Sequence, residues 1–497
     1  MTVYEKLVAR FQELHRLDHA ITYLSWDQMV MMPANGNDNR SASIGEIASI
    51  RHKLLTSPEV QDWLQEASSE KNPHHHASIR EMHRVWRQAV CLPAELVVAK
   101  IKAGSTCEHG WRSQRSQNDW QGFLKNLTAV VALSREEAQL RQEGDDNFTS
   151  PYEALLDLHC TGDSQALIDS VFSTLRVELP ELLQQVKEHQ QNDKLPSLHG
   201  SYSIPQQQML CEELMRDLGF DFNSGRLDES MHPFSTGGIG DLRITTRYRD
   251  DEFMEALNST AHEVGHACYE GGLPHKAQGL PVGGHRNMCI HESQSLLYEK
   301  QIFQSKSFMS YFAAKVHEYL PATQSFNAET LWKVGTRVEP GYIRVEADEV
   351  CYSLHVLLRY EIESALINQD IEADVLPEIW DEKMQQYLGL STAGNYADGV
   401  MQDIHWTDGG FGYFPSYTMG AVNGAQIFKA LCVDHTDWQD RFNAGDLAFV
   451  GNWLEQKVWS TGCELSSQEL MKQITGRETE TEDYLAHLRS RYLDEIH

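Results

Sequence analysis

The sequence predicts a mainly α fold carrying a small β-sheet, and three observations predict it. Apolar residues recur at spacings of three and four in stripe after stripe, only one segment alternates clearly as a strand does, and no alternating strand–helix rhythm appears. With 497 residues, 41% of them apolar, the chain is long enough to bury a large core. No Pro/Ser/Gly tract separates independent units and no internal repeat is visible. The expectation is one large domain over 1–497, with an N-terminal helical part over 1–200 and a core over 225–420.

Taken in order, Val3, Leu7, Val8, Phe11 and Leu14 mark one apolar helical stripe. Similar stripes fill 43–66, 78–102, 119–142, 164–188 and 205–218, most ending at Gly, Pro or Asn-rich breaks. Ser164, after Gly162 and Asp163, is a polar helix start. His74, His75 and His76 read as a solvated helix end. The clearest strand is Asp241–Tyr248, where Leu242 and Ile244 alternate with polar residues, and 280–284 and 341–345 are expected as its short partners. Helical stripes resume over 251–270, 290–320, 346–367, 373–388, 422–433, 449–458 and 466–494. The last opens at Ser467, with Glu469 behind it, and Thr479–Asp483 reads as a solvated helix start inside it.

Charge narrows the function. Seventy-two acidic residues against 42 basic give −30, so nucleic acid and anionic membrane surfaces meet repulsion at long range, and neither is expected as a partner. No apolar run is long enough to span a bilayer, and the first twenty residues lack the pattern of a secretory signal. Nine scattered cysteines without a CxxC pair point to a reduced, cytoplasmic setting in which thiols act as small hydrophobes.

The segment with chemistry is His262-Glu263-Val-Gly-His266. On a helix, two histidines four apart differ by ~40° of rotation and ~6 Å of rise, so both imidazoles lean over one face and can share a metal. Glu263 borders that face, from which a carboxylate can deprotonate a metal-activated water. Phe253, Met254, Leu257, Ala261, Val264, Ala267 and Cys268 support the helix, and Gly271-Gly272 with Pro274 end it. A chain of this composition carries roughly 0.1 such motif by chance, so a third ligand is the next requirement. The HExxHxxGxxH extension fails, because Tyr269 and Gly272 stand where its Gly and His belong. A glutamate from a following antiparallel helix remains, and Glu292 is preferred to Glu299.

With these residues in place, the chain resembles the carboxypeptidase Taq family of metallocarboxypeptidases. Its motifs occur in order: HPF at His232–Phe234, DxRxT at Asp241–Thr245, HExxH at His262–His266 and HESQ at His291–Gln294. IRxxAD follows at Ile343–Asp348 and GxxQDxHW at Gly399–Trp406, and Trp26-Asp27-Gln28 before Met32-Pro33 matches the N-terminal signature except at Val30. The similarity runs from about residue 5 to 495. It implies a large helical HExxH metallopeptidase fold with a long substrate groove, which the 1–200 part covers. It also implies release of C-terminal residues from peptides with zinc or, in some members, cobalt, and commonly a homodimer.

Under that reading, zinc on His262, His266 and Glu292 polarises the carbonyl, and Glu263 takes the water proton and passes it to the leaving nitrogen. Oxyanion donors are sought in His405 and a tyrosine, Tyr413 before Tyr417. The substrate's terminal carboxylate calls for a guanidinium fork, with Arg344 first and Arg243 second, although Arg243 equally fits a structural pair with Asp241. His232 either lines the groove or caps a turn. Asp348 is expected to hold a ligating imidazole by its free N–H. The rival readings are a zinc endo-oligopeptidase without a carboxylate clamp and a helical scaffold with a vestigial motif.

Overall fold

In a computed structural model, which describes residues 1–494, the helices dominate as expected. The end of the expected 1–497 unit, residues 495–497, lies outside the described residues. Nine helices precede the sheet: α1 (Val3–Val30), α2 (Asn37–Leu55), α3 (Pro58–Ala67), α4 (Pro73–Val90), α5 (Ala94–Ser116), α6 (Trp120–Glu143), α7 (Pro151–Leu156), α8 (Gln165–Gln190) and α9 (Ile204–Asp217). Eleven follow it. They are α10 (Met254–Gly271), α11 (Met288–Leu296), α12 (Lys306–Tyr319), α13 (Ala328–Gly335), α14 (Glu349–Ile367), α15 (Leu376–Leu388), α16 (Pro415–Asp434), α17 (Trp438–Asn443), α18 (Ala448–Lys457), α19 (Ser467–Thr475) and α20 (Glu482–Arg489).

Local chemistry explains where the helices begin. Thr2 Oγ1 accepts from the Glu5 amide at 3.2 Å while Glu5 Oε2 accepts from the Thr2 amide at 2.8 Å, a reciprocal cap that starts α1. Ser164 caps α8 as expected. The expected stripe 43–66 is broken into α2 and α3 because Pro58 fits only the first turn of a new helix. The stripe 290–320 contains a π-helical turn, Leu297–Phe303, between α11 and α12. Before α19 the cap is Ser466, not Ser467: Ser466 and Glu469 form the capping box, whereas the Ser467 hydroxyl is buried and donates to Asp163 at 2.7 Å.

The sheet has three strands in the order β1 (Gly225–Glu229), β3 (Asp241–Thr246), β2 (Phe234–Gly238). β3 is central, parallel to β1 and antiparallel to β2, and buries Leu242 and Ile244. The expected partners at 280–284 and 341–345 are corrected: they are 3₁₀ turns at Pro281–Gly283 and Arg344–Glu346. Pro281 has no amide to give a ladder, and the Arg344 amide is committed to Gln402 Oε1 at 2.9 Å.

Three apolar clusters form the core. One joins α6, α8, α14 and α15 through Phe123, Phe172, Leu354 and Trp380. A second joins α9, α10, α12 and α18 through Leu214, Leu257, Phe312 and Trp453. α11 and α16 belong to both, Cys289 and Met419 facing the first while Ile290 and Ile427 face the second. The third cluster, Leu7, Phe11, Leu55, Val60, Leu64 and Met82, holds α1 to α4 together. The seam between the two large clusters therefore runs along α11 and α16, and the HESQ segment that carries Glu292 lies on it.

Candidate active site

α10 and α11 cross with their backbones nearly touching. A Cβ on Gly265, inside the HExxH segment, would lie 2.4 Å from the Gln294 carbonyl oxygen. On the other side, a Cβ on Gly420 of α16 would lie 2.6 Å from Glu292 Cβ. Small residues on both neighbours thus let α11 sink between α10 and α16. Glu292 is carried directly to the two histidines.

The geometry there is that of a trio able to hold a metal ion. Glu292 Oε1 lies 3.6 Å from His262 Nε2, and Glu292 Oε2 lies 3.5 Å from His266 Nε2. Donors about 2.1 Å from one tetrahedral cation sit about 3.4 Å apart, so these separations suit a single ion. The two rings are nearly perpendicular, 82° with centroids 4.9 Å apart. His262 Nδ1 is 2.9 Å from Glu299 Oε2, and Glu299 is also 2.7 Å from Lys300 Nζ. The imidazole's carboxylate partner is therefore Glu299. Asp348, expected in that role, instead caps α14, accepting from the Val350 and Cys351 amides at 3.0 and 2.9 Å.

The electrostatics ask for positive charge. Burial, together with Glu292 and Glu299, pushes the Glu263 carboxyl up to about 7, and burial with Glu299 does the same to Glu292. Burial opposes charge on His262, yet Glu292 and Glu299 outweigh it and raise that imidazole to about 9. Burial and three neighbouring histidines hold His266 well below its usual range. Three acids crowd two imidazoles, and a divalent cation on the Nε2 atoms would relieve that field. The residues present fit such an ion.

The facing wall carries a second buried charge cluster. Arg344 Nε and Nη2 both donate to Asp403 Oδ1 at 3.0 Å, and Nη1 donates to the Tyr352 hydroxyl at 2.6 Å. Arg359, fully buried, donates from Nε to Asp403 Oδ2 at 2.7 Å. The Arg344 guanidinium also lies 5.1 Å from the Phe414 ring and 5.2 Å from the Tyr417 ring. Glu363 of α14 pins the adjoining loop, accepting from Trp406 Nε1 at 2.6 Å, the Tyr152 hydroxyl at 3.0 Å and the Gly412 amide at 3.0 Å. Gly412 has φ +85°, and a Cβ there would strike the Leu156 amide nitrogen at 2.8 Å.

That pinned loop presents His405 and Tyr413, whose rings stack at 5.7 Å, with the Tyr417 ring 5.3 Å beyond. Burial, followed by the nearby Arg344 charge, pushes His405 down to about 4, so it is a neutral hydrogen-bonding group near neutrality. Burial and the Glu292 charge keep the Tyr413 hydroxyl protonated far above the usual phenol range, and burial does the same for Tyr417. His159, which sequence reasoning did not single out, meets the Tyr413 ring edge-on at 4.9 Å, and nothing in its short polar segment signalled it. Asp403 stands in the GxxQDxHW motif but its pairing with two arginines was not readable there, and Glu363 was legible only once the helices were in place.

The structure thus brings His262, His266, Glu292 and Glu263 together and assembles Arg344, His405, Tyr413 and Tyr417 beside one another. His232 and Arg243 are engaged at the sheet. His232 is exposed in the β1–β2 turn, where its carbonyl accepts from Ser230 Oγ at 2.6 Å. Arg243 makes two hydrogen bonds to Asp241, at 2.5 and 2.9 Å, and lies 4.4 Å over Trp26 of α1.

A mainly helical chain whose HExxH helix is answered by an acid from the next helix is built as a metallopeptidase. A family model described as carboxypeptidase Taq (M32) metallopeptidase matches residues 6–492. Among curated relatives, thermostable carboxypeptidase 1 of Thermus thermophilus is 33% identical over 97% of this chain and 98% of its own length. Carboxypeptidase 1 of Bacillus subtilis is 30% identical over 97% of each. The solved structure of Trypanosoma cruzi metallocarboxypeptidase 1 superposes with a TM-score of 0.96 at 38% identity, covering 99% of both chains. That of the Pyrococcus furiosus carboxypeptidase gives 0.95 at 30%, again over 99% of both. The chain belongs to the carboxypeptidase Taq (M32) family and is a metallocarboxypeptidase, an exopeptidase.

Proposed function

We propose that this enzyme releases single residues from peptide C-termini using a zinc or cobalt ion held by His262 Nε2, His266 Nε2 and Glu292, with Glu263 as general base. The observation that carries this reading is the 3.5–3.6 Å spacing of Glu292 from both imidazole nitrogens. Bound there, the cation would supply Lewis acidity toward the scissile carbonyl and the attacking water. Glu263, buried beside the donors, takes the water proton and delivers it to the departing amine. His405 and Tyr413, neutral and pre-aligned by the pinned loop, donate hydrogen bonds to the oxygen that gains charge, and Tyr417 helps to seat the substrate.

Arg344 serves as the carboxylate clamp. Three of its five N–H donors are spent on Asp403 and Tyr352, leaving two for a substrate. Arg344 and Arg359 share one Asp403, so the cluster keeps one net positive charge. Arg243, already paired, holds α1 to the sheet, and His232 belongs to the rim. The whole chain acts as one catalytic unit, with the metal-binding core in 225–420 and the 1–200 helices walling the groove. A cytoplasmic setting is in keeping with nine free cysteines among the described residues, and the homodimer implied by the family is tested by light scattering.

The deciding experiment compares a peptide as its free acid and as its C-terminal amide. Loss of a charge-assisted clamp costs about 3 kcal/mol, so the amide is expected to turn over roughly 100-fold more slowly. Equal rates would favour the endo-oligopeptidase reading.

A further inference from the structure

One face of α10 carries three ligand-type residues in succession, His262, His266 and Glu270, each four positions from the last. The first two turn toward Glu292. The third turns toward a different pair: Glu270 Oε1 lies 2.8 Å from His285 Nδ1 and 2.9 Å from His291 Nε2. All three donor atoms lie within 4.8 Å of one another. The His291 ring stands 4.4 Å from His266 and 4.7 Å from His285, so this trio extends beyond His266, away from His262.

We propose that Glu270, His285 and His291 form a second site for a divalent cation of the zinc or cobalt class. Two imidazoles and a carboxylate make the same donor set as the first trio, which suits borderline divalent ions. The present separations are those of hydrogen bonds, shorter by about 0.5 Å than the spacing around a tetrahedral ion. An ion therefore has to part the trio slightly. The geometry allows it, because His285 sits on the loop between α10 and α11 with its side chain 40% exposed. That opening also gives a hydrated ion its way in. The need to exchange two hydrogen bonds makes the second site the weaker one. When filled, it ties the α10–α11 loop to the start of α11, one residue from Glu292.

The test is titration of the metal-free full-length protein with Co²⁺, followed by visible absorption and by metal content after gel filtration. Two ions per chain are expected for the unchanged protein, the second binding more weakly, and one for His285→Asn, a partly exposed position whose thermal melt, followed beside the parent's, reports the fold. Glu292→Gln reports on the first site alone, so failure of one assignment is distinguishable from failure of the other. A single ion per chain that survives His285→Asn would overturn the second site, and so would two ions in both proteins.

Discussion

Asp403 shows how much of this wall depends on one carboxylate. Burial disfavours its charge, but Arg359 and Arg344 outweigh burial and hold it well below the usual carboxylate range. A depressed folded-state value contributes stability above the ordinary value of 3.8, and that contribution is lost as the pH falls below it. Asp403→Asn strands the buried Arg359 charge and is expected to cost about 3–5 kcal/mol at neutral pH, with the gap from the parent narrowing in thermal melts below pH 3.8. A gap that does not change with pH would contradict the pairing. At this scale the sequence revealed residues whose roles rest on local spacing. His262, Glu263 and His266 follow from one helical turn, and Glu292 from the Gly/Pro-rich loop that turns the chain back into a following antiparallel helix. Glu299 was legible as an acid but not as the partner of His262, because two acids seven apart on one helix are distinguished only by how that helix crosses its neighbour.

At the scale of elements, glycines set the crossing. α11 lies between Gly265 of α10 and Gly420 of α16, and a methyl group at either would collide with backbone or with Glu292. Gly420→Ala is expected to destabilise by about 1–3 kcal/mol through overpacking and to weaken metal binding with it. Gly451, inside α18, meets nothing within 4 Å of a built Cβ, so Gly451→Ala is expected to stabilise by about 0.5–1 kcal/mol. Parallel chemical denaturation and chelator competition check both, and equal effects of the two substitutions would undercut the packing argument. Helices were readable because their apolar period is local. The sheet was less so: β1 is mostly polar and β2 is Phe-Ser-Thr-Gly-Gly, so neither shows strand propensity, and only their pairing with β3 makes them strands.

For the molecule as a whole, the α1–α4 unit has its own small core and is tied to the body at α4 by the buried Glu81–Arg286 pair at 3.1 Å and at α1 by contacts with the sheet. Arg243 over Trp26 and the Tyr23 hydroxyl donating to the Asp241 carbonyl at 2.6 Å are two of them. Arg243→Ala is expected to speed protease nicking within residues 1–90 while leaving metal content unchanged. A raised KM for free-acid peptides alone, with unaltered nicking, would instead make Arg243 a carboxylate clamp. This docking was not legible from periodicity, since the stripe of α1 looks like that of any amphipathic helix. The seam between the two large cores was equally hidden, because α11 and α16 turn apolar residues to both.

The most direct measurement is anomalous diffraction at the zinc edge from zinc-loaded crystals of the full chain. The strongest peak is predicted about 2.1 Å from His262 Nε2, His266 Nε2 and a Glu292 oxygen, within reach of a water facing Glu263. A strongest peak elsewhere, or one ligated by Glu299 in place of Glu292, would contradict the assigned centre.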